Sequence, residues 1–308
     1  MVPSPRVASL LPSATEIVCA LGAEESLVGV SHECDYPDTL RDRPVLTQAR
    51  VEDHGSSREI DEAVRRIVRD ALSVYTVDHA LLGSLEPTIV ITQDLCEVCA
   101  VSLDDVRAAV ARLAKAEDVE ILSLRPTRLG GILDDIDRVA SALGRPRAGA
   151  EVRSVLSARI DAIRSQAQTA AVRPRVASLE WIDPIMLGGT WMPELIDIAG
   201  GVAVGVEVGR PAPTVTADQL CALQPDVVVV KACGFSLART LEERDILEAT
   251  VLSGLPSTTR VYLTDGNAFF NRPGPRIVDS IEIMAACLHP DLFHDFGSKY
   301  ADAIFRMR

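Results

Sequence analysis

The residues Arg6-Val7-Ala8-Ser9-Leu10 return unchanged as Arg175-Val176-Ala177-Ser178-Leu179. A second echo follows each copy in the same order. It reads Leu85-Glu86-Pro87-Thr88-Ile89-Val90-Ile91 in the first half and Leu223-Gln224-Pro225-Asp226-Val227-Val228-Val229-Val230 in the second. Each copy of the first block soon gives way to a helical pattern: Ala14-Thr15-Glu16-Ile17-Val18 in one case, Met192-Pro193-Glu194-Leu195-Ile196 in the other. Two echoes kept in order imply two similarly built halves. At 308 residues the chain is long enough for two lobes, each burying its own core.

Short β-branched runs predict strands at 6–10, 27–31, 88–92, 119–123, 175–179, 202–206, 226–230 and 260–263. Helical patterns lie between them at 59–72, 103–115 and 238–250, with another at 277–287. Alternating strands and helices predict doubly wound parallel sheets. The middle of the chain differs, with no strand signal from about 130 to 172. There Ile132, Leu133, Ile136, Val139 and Leu143 form one amphipathic stretch, and Val152, Val155, Leu156, Ile160 and Ile163 form a second. A helix of that kind would reach roughly 35 Å and would hold two lobes nearly fixed where a Gly/Ser linker would let them flap. The expectation is an α/β protein of two Rossmann-like lobes with parallel sheets, joined by a long rigid helix. Its parts are an N-terminal lobe at 1–129, connecting helices at 130–172 and a C-terminal lobe at 173–308.

Composition narrows the function. A formal net charge of −13 without any Lys-rich or Arg-rich run argues against nucleic acid and against an anionic membrane surface. No stretch approaches the roughly 18 apolar residues of a membrane span. The N-terminus as written has no leader pattern, so the expectation is a cytoplasmic protein, or an extracytoplasmic one if translation starts upstream. Seven scattered cysteines suit reduced thiols better than a disulfide framework. Cys19, Cys221, Cys233 and Cys287 lie in apolar surroundings and read as small packing groups.

Ligands of parallel α/β sheets sit at the carboxyl ends of strands, which gives a short list of residues. After 6–10 comes Ser13, an N-cap with Glu16 three residues on. After 27–31 comes His32-Glu33-Cys34-Asp35-Tyr36-Pro37, the densest group of coordinating side chains. After 88–92 come Gln93 and the pair Cys96-x-x-Cys99. His32, Cys34, Cys96 and Cys99 would suit tetrahedral zinc or a redox dithiol; the plainer reading is thiols packed at a turn or lining a ligand pocket. In the second half, 175–179 runs into Glu180 and Trp181, and Trp191 follows. These are the two tryptophans of a chain with 4% aromatic residues, and their placement around Pro and Gly-Gly reads as a platform for a planar ligand. After 260–263 comes the loop Asp265-Gly266-Asn267-Ala268-Phe269-Phe270-Asn271-Arg272-Pro273-Gly274-Pro275-Arg276, where Phe270 and Arg272 are binding candidates. Asp134-Asp135-Ile136-Asp137 reads as a solvated acidic helix start. No nucleophile elbow, Walker loop or dinucleotide fingerprint is present.

With these residues in view, the chain resembles the cobalamin-type substrate-binding proteins of ABC importers, a rigid-helix class that also includes binders of haem and ferric siderophores. The likeness lies in the opening Arg6-to-Ile17 segment, in Val28-Gly29-Val30-Ser31-His32-Glu33-Cys34-Asp35-Tyr36-Pro37, and in the tryptophan-bearing start of the second half. The resemblance implies a non-catalytic, monomeric protein that holds cobalamin or another corrinoid in a cleft between its lobes, with Ser13, Tyr36, Trp181 and Trp191 at matching positions near the ligand. It also implies an ABC permease as partner, which Glu97 and Glu207 would contact. The chain departs from exported members in having no leader as written, and the His32/Cys34 and Cys96/Cys99 groups look like features of a cytosol-type branch. Imidazole or thiolate could then ligate the corrinoid cobalt. Two alternatives stay open. One is a haem or ferric-siderophore binder, for which Arg272 and Arg276 are few cations. The other is a Cys/His enzyme using zinc or a thiol.

Overall fold

The computed structural model describes residues 4–50, 55–69, 74–93, 103–111, 113 and 116–308. Its contacts divide the chain into two units. One comprises Met1–His54, Glu62–Pro126 and Gly130–Ser154; the other comprises Gly55–Asp61, Thr127–Leu129 and Val155–Arg308.

The first unit holds β1 (Val7–Ser9), α1 (Pro12–Ala20), β2 (Leu27–Val30) and β3 (Thr47–Ala49). It continues through most of α2 (Ser57–Arg69), β4 (Tyr75–Val77), α3 (His79–Ser84), β5 (Ile89–Gln93), α4 (Leu103–Val110) and β6 (Glu120–Leu124). Four parallel strands run in the order β2-β1-β5-β6, and β3 and β4 pair antiparallel beside them. Ala8, Leu10, Leu46, Leu82, Val90 and Val106 form a core between sheet and helices. Next come α5 (Leu129–Ala142) and the 22-residue α6 (Pro146–Ala167), about 33 Å long. The division between the units falls inside α6, after Ser154.

The second unit continues with β7 (Arg175–Trp181), β8 (Ile185–Leu187), α7 (Met192–Ile198), β9 (Val202–Ala203) and β10 (Thr214–Val215). Then follow α8 (Ala217–Ala222), β11 (Val227–Val230), α9 (Leu237–Glu242), α10 (Arg244–Ile246), β12 (Arg260–Thr264), α11 (Ile277–Leu288), α12 (His294–Lys299) and β13 (Ile304–Arg306). Its sheet runs β10-β8-β7-β11-β12-β13, with β7, β11 and β12 parallel at the centre and β8, β10 and β13 antiparallel toward the edges. The four consecutive valines of β11 are all fully buried, as a strand covered on both faces requires. Helix α11 is apolar nearly all round and is buried almost throughout. Arg159 of α6 joins it there, bonding Asp279 at 2.6 Å and Glu282 at 2.7 Å.

The echo in the sequence survives to the register. Val7 pairs with Ile89 and Val176 pairs with Val227, corresponding residues of the two copies. Three expectations change. Helix α1 begins at Pro12 with Leu11 as N-cap and no side-chain cap, because proline takes the first helical position; Ser13 lies inside the helix and caps nothing. The acidic run lies in the body of α5: Asp134 and Asp137 bond Arg153 at 2.7 and 2.6 Å, and the buried Asp135 pairs with Arg138 at 2.7 Å. Burial pushes the Asp135 carboxyl above its ordinary range, against the pull of Arg138. The helix expected at 238–250 breaks into α9, α10 and a wide turn over Leu247–Leu252. The antiparallel strands β3, β4, β8, β10 and β13 were not anticipated; each is two or three residues long.

Residues 55–61 pack within the second unit. Ser57 donates its amide and hydroxyl to Glu243 at 3.2 and 2.9 Å. Arg58 forks onto both oxygens of Asp183 at 2.9 Å each. Arg239 donates to the Gly55 carbonyl and lies 4.3 Å over the Phe235 ring.

Candidate functional site

In the first unit, polar side chains gather where β1 and β2 end. Strand β1 is buried at every residue, so Ser9 must find partners: it accepts from Thr15 Oγ1 at 2.7 Å and donates to the Leu11 carbonyl at 3.2 Å. With the Thr15 hydrogen so used, the Cys34 thiol is the donor in its 3.1 Å contact with Thr15 Oγ1. Cys19 lies in the same region, and burial, then nearby Glu24 and Glu16, push its thiol up to about 12. That thiol stays protonated and packs as an apolar group.

His32 follows the last residues of β2. Thr47 of β3 donates to Ser31 Oγ at 2.9 Å and receives the His32 backbone amide at 3.1 Å. His32 Nδ1 lies 2.7 Å from the same Thr47 oxygen. The Thr47 hydrogen is committed to Ser31, so Nδ1 carries the imidazole hydrogen and Nε2 keeps its lone pair. Burial holds the His32 ring below the ordinary histidine range, opposed by Glu33. Tyr75 supports the loop, its ring centroid 5.1 Å from that of His32 and its hydroxyl donating to Glu33 at 2.6 Å. The result is a neutral imidazole, fixed at one nitrogen and exposed.

In the second unit the centre is Lys231, which closes β11 and is 1% exposed. Its ammonium donates to Glu180 Oε2 at 3.2 Å and to Asn271 Oδ1 at 2.9 Å. Gly189 N–H donates to the same Glu180 oxygen at 3.2 Å. Asn271 in turn donates to the carbonyls of Gly266 and Lys231 at 2.8 and 3.2 Å. A buried ammonium needs such a paired, hydrogen-bonded setting. The three side chains come from the carboxyl ends of β7 and β11 and from the loop after β12.

The residues expected to bind ligand fall into three groups. His32 and Tyr36 are exposed, and Cys34, Glu180 and Trp181 are half-buried. Ser13, Gln93, Trp191, Phe270 and Arg272 are buried. Cys96, Glu97 and Cys99 lie outside the described residues. Trp191 donates its indole N–H to the Phe270 carbonyl at 2.9 Å, and Phe270 is wholly buried. Of the two tryptophans, Trp191 is 7% exposed and braces the loop after β12, and Trp181 is the half-exposed ring. Trp181 itself is oriented by a 3.1 Å bond to the Ser57 carbonyl and by Phe235 at 5.2 Å. Glu207 is exposed, 3.9 Å from Arg210. Among the described residues no cluster of three or more His, Cys, Asp or Glu side chains could hold a metal ion. Thr15, Thr47, Tyr75, Lys231 and Asn271 escaped the sequence reading. For Lys231 a signal existed, a lone lysine closing a run of four valines.

A family model described as periplasmic binding protein matches residues 7–266. A vitamin B12-binding protein of Vibrio cholerae serotype O1 is 24% identical over 285 residues, covering 91% of this chain and 87% of that one. The fold is shared with the apo periplasmic haem-binding protein RhuT from Roseiflexus sp. RS-1, at a TM-score of 0.68 and 24% identity, covering 96% and 99% of the two chains. It is also shared with the periplasmic vitamin B12-binding protein BtuF of Vibrio cholerae, at a TM-score of 0.64 and 21% identity, covering 93% and 97%.

Proposed function

The chain belongs to the periplasmic binding protein family, and from that premise we propose that it binds a corrinoid, as the substrate-binding protein of an ABC importer. The family is one of binding proteins, which favours capture over catalysis. Vitamin B12-binding relatives spanning about nine-tenths of the chain support the ligand class.

The observation that carries the reading is His32. A metal-ligating imidazole is held at one nitrogen by a hydrogen bond and offers the other. His32 has that form: Nδ1 is fixed on Thr47, and the neutral ring presents Nε2. His32 would offer a corrinoid cobalt a nitrogen donor of the kind first-row transition metals take. In the first unit, beside His32, Tyr36 is an exposed aromatic group of the kind a flat macrocycle packs against.

Purified protein mixed with hydroxocobalamin and passed through gel filtration tests this. Retained colour in a one-to-one complex, with an absorbance shift abolished in His32→Ala, is the expected result. Colour without a shift would remove the imidazole ligand while keeping the corrinoid. Haem-binding proteins share the fold, so haemin is run in parallel. Binding of haemin in place of hydroxocobalamin would overturn the corrinoid assignment.

A further inference from the structure

Glu180 is half satisfied, and in an ordered way. Its Oε2 receives both the Lys231 ammonium and the Gly189 amide, each at 3.2 Å. Its Oε1 has no hydrogen-bond partner among the described residues, and the side chain is one-quarter exposed. One carboxylate oxygen is thus locked inside the unit and the other is presented at its surface. An ionised carboxylate accepts hydrogen bonds and donates none.

The lock is tightly built. A methyl carbon added at Gly188 would lie 3.2 Å from Lys231 Cε and 2.4 Å from Ser178 Oγ. One added at Gly266 would lie 2.6 Å from the Lys231 carbonyl. The chain closes on the lysine stem and backbone where a larger residue could not fit, and the two bonds to the buried ammonium and the Gly189 amide hold Glu180 Oε2. Lys231 and Glu180 also cancel in charge, and the whole chain carries −13. Nothing in this arrangement attracts an anion.

Resting on the corrinoid reading, we propose that Glu180 is a specificity-determining residue that accepts a hydrogen bond from a peripheral primary amide of the ligand and rejects a carboxylate there, with Lys231 as its positioning residue. A donor N–H meets Oε1 without reorganisation, since the acceptor is already aimed. A ligand carboxylate meets a like charge and finds no proton between the two groups. A charge-assisted hydrogen bond of this kind corresponds to a preference on the order of ten- to a hundredfold.

The test compares intact cyanocobalamin with its separated monocarboxylic acids, in which one peripheral amide is hydrolysed, by equilibrium titration at pH 7. At least one acid isomer should bind the wild-type protein about ten- to a hundredfold more weakly than the amide. Glu180→Gln, which can both accept and donate, should bring that isomer to within about threefold of cyanocobalamin while changing the other isomers little. Lys231→Met should weaken the same discrimination; a loss of stability alone would lower all isomers together. Where Lys231→Met does not fold, the Glu180→Gln ratio still decides. All isomers binding the wild-type protein within twofold of the amide, or Glu180→Gln keeping the full discrimination, would overturn the inference. No binding of any corrinoid, intact or hydrolysed, marks the different failure of the underlying reading and removes the inference with it.

Discussion

The Arg175 guanidinium donates to the carbonyl of Leu223 at 2.8 Å and to that of Gln224 at 3.2 Å. Arg6 does the same for Leu85 at 2.6 Å and Glu86 at 3.1 Å. Leu85 and Leu223 are the C-caps of α3 and α8, so each repeated arginine neutralises the negative end of the helix beside its strand. Arg6 N–H bonds Thr88 Oγ1 and Arg175 N–H bonds Asp226 Oδ2, at 2.9 and 2.8 Å. The two sequence echoes are therefore two sides of one contact, made twice.

Replacing Arg175 with Met should lower stability by about 0.3–1 kcal/mol, the usual range for a cation at an exposed helix end. The loss should shrink at high salt. Urea unfolding at low and at 0.5 M added salt, each as a shift in midpoint, measures both. An equal loss at the two salt levels would refute the dipole account.

Glu86 and Gln224 follow those caps with φ of +42° and +46°, the left-handed region that favours glycine. Gln224→Gly should stabilise the protein by a few tenths to about 1 kcal/mol, because relief of backbone strain outweighs the added freedom of the unfolded chain. A lowered melting temperature would contradict this.

Trp191→Phe removes the indole N–H from the Phe270 carbonyl and leaves a buried acceptor unpaired. The expected cost is about 1–3 kcal/mol in chemical unfolding. Corrinoid binding by the folded variant should be unchanged, since the ring is 7% exposed. Trp181→Ala should reduce binding, and titration of the two variants side by side separates the roles.

His289 lies below its ordinary range through burial, a bond to the Gly200 carbonyl opposing the shift. The unfolded chain takes up a proton as pH falls through about 6.5, whereas the folded ring does so only at lower pH. The unfolded state binds more protons in that interval, so stability must fall as pH drops from about 7 through the folded value. His289→Gln should flatten this part of the profile, measured as urea midpoints between pH 7.5 and 5. An unchanged slope would assign the pH dependence elsewhere.

The central parallel strands were legible because each is a short apolar run met again in the second half, and β1, β5, β7 and β11 all lie where the echoes place them. The edge strands β10 and β13 were not, since they have two and three residues and are defined by their neighbours. His32 was visible as a coordinating side chain after a strand. Its partner Thr47 was not, because it reaches the ring from β3, 15 residues away. Lys231 needs Glu180 and Asn271, separated from it by 51 and 40 positions. Ser13 shows the opposite error: the local capping pattern was present, and Pro12 moved the helix start two residues earlier. Burial, which local pattern reports only on average, is what separates Trp191 and Phe270 from the half-exposed Trp181.

The placement of residues 55–61 within the second unit bears on how such a chain can be inherited. The polypeptide passes between units after residues 54, 61, 126, 129 and 154. A recombination that exchanged the first 129 residues for those of a relative would import a new Ser57 and Arg58 opposite the old Glu243 and Asp183. The halves are copies in plan and yet are no longer interchangeable modules. Variation on one side of such a contact is constrained by the other, so a working exchange has to carry residues 55–61 together with Asp183 and Glu243.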